Sequence, residues 1–248
     1  MKDAALVMTA PIPILMYHQV DAPPPKGTPM RGLVVSPAAF ARQMAMLRAL
    51  GFTGLSMQHL LPYLTGHKKG RVFGITFDDG YENNYTLAYP IFKALEIPFT
   101  IFTVNSFINK NTKHDQTEQA FLNEDQILEM VNLVDFAHHG LKHDNLMDLS
   151  AEKRAIEISE SVKQMEAFKH KTLKAWAYTY GAYPKRNKLE FDSLKLAFKN
   201  SGISCAFRIG NRINKLPIND PFKIERIDVR GNESFFKFKL KVSFGKII

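Results

Sequence analysis

Asp78, Asp79 and Gly80 close an apolar run, VFGITFDDG at 72–80. Two adjacent carboxylates at the end of a buried strand repel each other and lose hydration, so a cation should sit among them, and a divalent metal is the economical one. Neighbours in an extended segment point to opposite sides, so one Asp can bind metal while the other acts as a base. An Asx turn or a helix cap would explain an isolated Asp-Asp-Gly as well. His139 and His143, in HGLKH, stand at i and i+4. In a helix or tight turn that spacing converges on one ion, and His138 adds a third imidazole; two surface histidines are the plain alternative. One Asp and two His together make the three-donor shell of a catalytic metal centre, with a position left for water. Tyr17 and His18 end another apolar run, IPILMYHQV at 12–20, where a hydrogen-bonded core histidine is the simpler reading. Tyr178 and Tyr180, in YTYG, end a further run, and their rings can form a stacking wall for a sugar. Glu225 to Arg230 alternates charged and apolar residues, as an ordinary half-exposed strand does.

The elements that must position these residues alternate. Strand patterns occur at 12–20, 72–80, 98–104, 134–140, 173–181 and 203–207. Helical patterns lie between them. Ser36 caps a helix with Pro37 at its first position, and Phe40, Met44, Leu47 and Leu50 fall on its apolar face. Further helices are expected near 84–95, 123–131, 152–168 (apolar at Ile156, Ile158, Val162 and Met165) and 189–200. Three consecutive prolines make 21–29 a loop. Alternating strands and helices predict an α/β fold with parallel strands, a barrel or a doubly wound sheet. Each candidate group lies at the end of a predicted strand, which is where such folds build their sites.

The chain has 248 residues and one cysteine, Cys205, so an internal disulfide framework and a multi-cysteine metal cluster are excluded. Its length reads as one domain over 1–248. Lys and Arg outnumber Asp and Glu by 33 to 24, a formal charge of +9. Residues 201–248 hold ten of the basic and four of the acidic residues. A basic surface favours anionic partners without choosing among them. Nucleic acid is not expected, because the nearest thing to a binding motif is the Lys-Phe-Lys-Leu-Lys run at 237–241, read as an amphipathic terminal segment. No apolar run reaches the ~20 residues of a membrane span. The short apolar stretch at 4–10 does not make a secretory leader, so a cytoplasmic location is expected, with peripheral contact to an anionic membrane surface.

TFDDG at 76–80 followed by HGLKH at 139–143 resembles the polysaccharide deacetylases, carbohydrate esterase family 4. The resemblance runs from MYHQV at 16–20 to ERIDV at 225–229. It implies a distorted, incomplete (β/α) barrel. It implies metal ligation by Asp79, His139 and His143, with Asp78 as general base and the Tyr81 backbone N–H as an oxyanion donor. Three positions depart from the family pattern. Gly140 stands where a Ser or Thr is usual. AYTYG at 177–181 lacks the usual Arg that orients the base, so Arg226 becomes the candidate cation. No His follows residue 170. The exopolysaccharide branch, which deacetylates poly-N-acetylglucosamine, has circularly permuted motifs with an N-terminal Tyr-His; this makes His18 the candidate general acid, with His138 next. Tyr17, Tyr178 and Tyr180 are then the candidate substrate-binding residues.

The resemblance implies removal of N-acetyl groups from hexosamines of a glycan, with release of acetate. It also implies one divalent ion, zinc from the N/O donor set, with cobalt, nickel or iron compatible. Basic charge points to a lipid-linked or anionic glycan. A catalytically silent glycan-binding protein on the same fold is the alternative; loss of Asp78 or a ligand would mark it, and all are present.

Overall fold

The computed structural model describes residues 12–114, 117–168 and 170–245, with Thr117 described in its backbone alone. The first apolar run becomes β1 (Ile14–Tyr17), followed by a two-residue strand, β2 (Gln19–Val20), which pairs with β3 (Val34–Val35) beyond the proline loop. α1 (Pro37–Ala49) begins where the Ala39 N–H donates to Ser36 Oγ. β4 (Thr53–Leu55) and α2 (Met57–Leu64) lead to β5 (Val72–Asp79). A π-helical turn at Asn84–Ala88 enters α3 (Tyr89–Leu95), and β6 (Phe99–Thr103) follows. A hairpin of β7 (Asn111–His114) and β8 (Thr117–Ala120) precedes α4 (Glu124–Met130), capped by Asn123 and Gln126 in a reciprocal box. Then come β9 (Val134–His138), α5 (Ala151–Glu166), β10 (Thr172–Ala177), α6 (Lys188–Asn200), β11 (Cys205–Ile209), β12 (Ile224–Asp228) and α7 (Phe235–Phe244).

Seven strands pair in parallel in the order β1-β12-β11-β10-β9-β6-β5, and β1 pairs with β5, so the ring closes. The expected (β/α) barrel is therefore present with one strand fewer than the usual eight. Its distortion is visible at β5, whose first residues pair with β4 (Thr53 to Leu55 against Val72 to Gly74) and whose later residues pair with β1 (Ile14 to Tyr17 against Gly74 to Phe77). A bulge between β9 and β10 is a second irregularity. No helix among the described residues is long and apolar enough to cross a membrane.

Period-two alternation sorts the strand residues between two compartments. Leu15, Tyr17, Phe73, Ile75, Phe77, Phe99, Ile101, Phe136 and Ile227 face outward and join Phe40, Met44 and Phe92 from the helices. Ile14, Phe102, Ala137, Ala175, Ala177, Phe207 and Ile224 face inward and share a cluster with Met57, Leu60 and Leu64 of α2. α2 can approach that closely because residue 74 is glycine: a Cβ there would lie 2.3 Å from Met57 Cε. A third cluster holds Trp176, Tyr178 and Ala206 against α5 and α6. Two expected core residues fall short: Leu50 is only half-buried and Ile156 is exposed on α5, while Ile158, Val162 and Met165 are buried as predicted.

Candidate active site

The parallel register brings the strand ends to one rim. Tyr17 lies beside Phe77, Asp79 beside Thr103, Thr103 beside His138, and Met16 beside Asp228. Alternation then decides what each end presents. On β5, Thr76 and Asp78 point into the barrel; on β12, Arg226 does. The Arg226 guanidinium meets Asp78 in a two-pronged pair, Nη1 to Oδ1 at 2.5 Å and Nη2 to Oδ2 at 2.8 Å, and Nη1 also reaches Thr76 Oγ1 at 3.2 Å. Both side chains are buried. Burial alone would raise the Asp78 pKa; the Arg226 charge, with His139 and His18 beyond it, outweighs that and holds the carboxyl below the usual range. The cation that the strand-end motif lacks is thus supplied from the far end of the chain.

Asp79 adopts φ 72° and Gly80 φ 80°, so the chain turns sharply as it leaves β5. The Asp79 carboxylate faces imidazoles. His139 Nε2 stands 3.4 Å and His143 Nε2 3.2 Å from Oδ1. These are ion-pair distances, longer than charge-assisted hydrogen bonds. His139 Nδ1 lies 2.9 Å from the Ala177 carbonyl oxygen. A carbonyl only accepts, so Nδ1 carries the proton, and Nε2 of the neutral ring turns a lone pair toward Asp79. Asp79 Oδ1, though buried, accepts no hydrogen bond among the described residues. Facing lone pairs require a cation between them, either a second proton on the ring or a metal ion. One carboxylate with converging imidazoles is a donor set that a divalent ion fits. Burial lowers the His139 pKa, but the charges of Asp78 and Asp79 outweigh it and raise it. For Asp79, burial raises the pKa while contacts to His114, His139 and His143 drive it well down.

The loop that carries His139 and His143 is braced from α5. Glu157 Oε1 accepts the N–H groups of Leu141 at 2.7 Å and Lys142 at 3.3 Å. Gly140 adopts φ +97°, and a Cβ there would stand 3.2 Å from the same oxygen. The hydroxyl missing at residue 140 is therefore replaced by a carboxylate from a neighbouring helix. Thr179 Oγ1 donates to the Asp144 carbonyl at 2.6 Å and fixes the loop's other end. Glu157→Ala is expected to weaken metal binding by about 10–100-fold, the usual cost of losing an outer support of ligands, while Glu157→Gln, which keeps an acceptor, stays near wild type. Metal titration of the two variants checks this; equal affinities for Ala and wild type would remove Glu157 from the account.

The remaining candidates divide by the same alternation. His18 faces inward and lines a cleft of about 250 Å³ together with Asp78, Asp79, His114, His143 and Tyr180. Its Nδ1 makes no hydrogen bond among the described residues, and its carbonyl accepts from Asn84 Nδ2 at 2.9 Å. Tyr180 is exposed at the cleft mouth, with its hydroxyl 3.1 Å from His143 Nδ1. Tyr81 is buried and stacked on Phe121. The bonds flanking that pair come from the Glu82 and Leu122 N–H groups, which turns the Tyr81 N–H away from Phe121. Tyr17 is a correction: it faces outward, is wholly buried, donates to Gln43 Oε1 at 2.8 Å and packs on Phe40 and Phe77, out of reach of any substrate. Tyr178 is a second: it borders the cleft, but its buried ring packs on Tyr183 and Phe198 and its hydroxyl donates to the Phe222 carbonyl, so the ring offers no exposed stacking face. His138 is a third. It faces outward, lies nearly parallel to Trp176, and burial pushes its pKa down to about 3.

Three residues at the site have no role assigned by the motifs, although Asp228 lies within the ERIDV stretch. Glu157 is one. Asp228 lines the cleft with a buried Oδ1 that accepts no hydrogen bond among the described residues, while Oδ2 accepts from Arg230 Nε at 2.7 Å. The third is His114, whose Nε2 stands 3.6 Å from Asp79 Oδ2. Its only sequence signal is a histidine within a polar, strand-forming stretch.

Comparison with known proteins bears on the family and the fold. The family model described as polysaccharide deacetylase matches residues 65–198. YxkH of Bacillus subtilis, a protein assigned to the polysaccharide deacetylases, is 30% identical over 177 residues, covering 70% of this chain and 58% of that protein. The chain therefore spans less than two thirds of that relative's length. The poly-β-1,6-N-acetyl-D-glucosamine N-deacetylase of Staphylococcus epidermidis is 28% identical over 212 residues, 81% of this chain and 69% of the relative. Among solved structures, the Streptococcus pyogenes deacetylase PplD, in complex with acetate, superposes with a TM-score of 0.77 at 24% identity, covering 95% of this chain and 99% of that one. IcaB from Ammonifex degensii superposes with a TM-score of 0.75 at 21% identity, covering 93% and 94%.

Proposed function

Because the chain belongs to the polysaccharide deacetylase family, we propose that it is a metal-dependent hydrolase that removes N-acetyl groups from hexosamine units of a glycan. The observation that carries this reading is the pair of adjacent strand-end carboxylates with separate partners. Asp78 is held by Arg226, and Asp79 faces imidazoles across one cleft. Asp79, His139 and His143 would hold a divalent ion, zinc in this reading, which would supply Lewis acidity toward the amide carbonyl and make water more acidic.

The protein's own groups do the rest. Asp78, anionic and fixed by two hydrogen bonds, takes a proton from the attacking water. As the C–O bond forms, the carbonyl oxygen gains charge, and in this reading the Tyr81 backbone N–H donates a hydrogen bond to it. His18 gives a proton to the amide nitrogen as the C–N bond breaks, because an unprotonated amide nitrogen is a poor leaving group. Acetate and a free amino sugar result. Tyr180 holds His143 by its hydroxyl and offers its exposed ring to a sugar face.

Met30 belongs both to this cleft and to an adjoining cavity of about 210 Å³ lined by Gln19, Asp21, Thr28 and Gln119. That continuity supports a substrate longer than one sugar. The excess of Lys and Arg over 201–248 supports an anionic or lipid-linked glycan. The test is acetate release by a His18→Ala variant from two substrates, a short N-acetylglucosamine oligomer and an activated acetyl ester. Amide hydrolysis should fall by about 10²–10⁴-fold and ester hydrolysis far less, since the ester's leaving group needs no protonation. Amide hydrolysis near wild type would rule His18 out as the acid.

A further inference from the structure

We propose that His114 is a third imidazole donor to the same ion, carried to it by the β7-β8 hairpin. The inference rests on reading Asp79, His139 and His143 as a metal centre. His114 Nε2 approaches Asp79 Oδ2, the carboxylate oxygen that neither His139 nor His143 faces. The donor atoms of Asp79, His114 and His143 all lie within 4.8 Å of one another. Zinc–nitrogen bonds of ~2.0–2.1 Å place two donors of one tetrahedral ion about 3.3 Å apart, so a small inward movement completes the set. His139 is not part of that 4.8 Å group, although its Nε2 stands 3.4 Å from Asp79 Oδ1.

The placement of His114 is built into the fold rather than left to a loop. The chain following β8 is hydrogen-bonded to the turn that follows Asp79, with Leu122 N–H to Gly80 O and Glu82 N–H to Ala120 O, each at 2.9 Å. The hairpin's base is closed by Phe121 N–H to Lys110 O at 3.1 Å and Asn109 N–H to Leu122 O at 3.0 Å. The imidazole, 9% exposed, stands edge-on to His143 with ring centres 4.8 Å apart and packs on Phe107 at 5.0 Å. The same segment thus positions the carboxylate ligand and the extra imidazole. Catalytic zinc centres usually take three protein donors. With four, the ion is held more tightly, and a substrate oxygen has to enter as a fifth ligand or displace an imidazole.

Cobalt(II) binding tests this, because visible absorption reports the donors around cobalt independently of turnover. His114→Ala should bind cobalt more weakly than wild type by at least the ~10–100-fold that losing an outer support costs, and with an altered spectrum, and added imidazole should restore the wild-type spectrum. His114→Gln, which keeps a polar side chain of similar reach, should show the same loss, and an unchanged melting temperature would separate ligation from folding. Wild-type affinity and spectrum in both variants, with cobalt lost in His143→Ala, would overturn the role of His114 alone. Wild-type cobalt affinity in His143→Ala would instead overturn the metal centre on which the inference rests.

Discussion

Asp78→Asn is expected to lower acetate release by about 10²–10⁴-fold while the metal content of the protein stays unchanged. Asp78 is not among the residues that face one another across the ion site; its two oxygens are taken by Arg226. Asn keeps one acceptor for the guanidinium but has no basic oxygen for a proton. The low pKa of Asp78 sharpens the expectation. Held anionic by Arg226, Asp78 is free of a proton and able to accept one, and an ion at the neighbouring site would make water the easier donor. Metal analysis alongside single-turnover acetate release checks this. Turnover within tenfold of wild type would take Asp78 out of the reaction.

Arg226→Met is expected to have the largest effect on stability. It leaves a carboxylate that is 3% exposed without its cation, at a cost of roughly 3–5 kcal/mol. For a chain of this size that is a fall in Tm of about 6–20 °C. Replacing both partners, as in Asp78→Leu with Arg226→Met, removes the charge together with its counter-ion and should recover most of the loss without recovering turnover. Thermal denaturation of the two single variants and the double separates the cost of a stranded charge from that of lost packing. A double variant as unstable as Arg226→Met would mean that packing, not charge pairing, sets the cost.

What could be read from the sequence was local. Asp-Asp-Gly after an apolar run and His-Gly-Leu-Lys-His after another carry their spacing with them, and both land on the same rim. Ser36, Asn123 and Pro37 mark helix starts because capping needs only neighbouring residues. Tyr17 and Tyr178 went wrong for a reason the sequence contained. In an extended strand, if His18 faces the cleft then Tyr17 faces the helices, and if Ala177 faces inward then Tyr178 does not. The same rule removes His138 once His139 is placed inside. Other features could not be read in this way. α2 has only eight residues, one of them Pro62, and β7-β8 is polar along most of its length, so neither offers a clean periodicity. Glu157 and His114 reach the site through tertiary packing from elements with no motif. Arg226 lies 148 residues from Asp78, and only the missing motif arginine pointed to it.

The central claim joins a chemistry to a place: hydrolysis of an N-acetyl group by Asp78 beside an ion at Asp79, His139 and His143. Its most direct test is acetate released from an N-acetylglucosamine oligomer by one preparation of the protein, measured before chelation, after chelation, and after one equivalent of zinc is returned. The account predicts release, loss, and recovery. Release that survives complete removal of metal would contradict it. A zinc-loaded protein that binds the oligomer but frees no acetate would contradict it as well, and would leave a glycan-binding protein on a deacetylase fold.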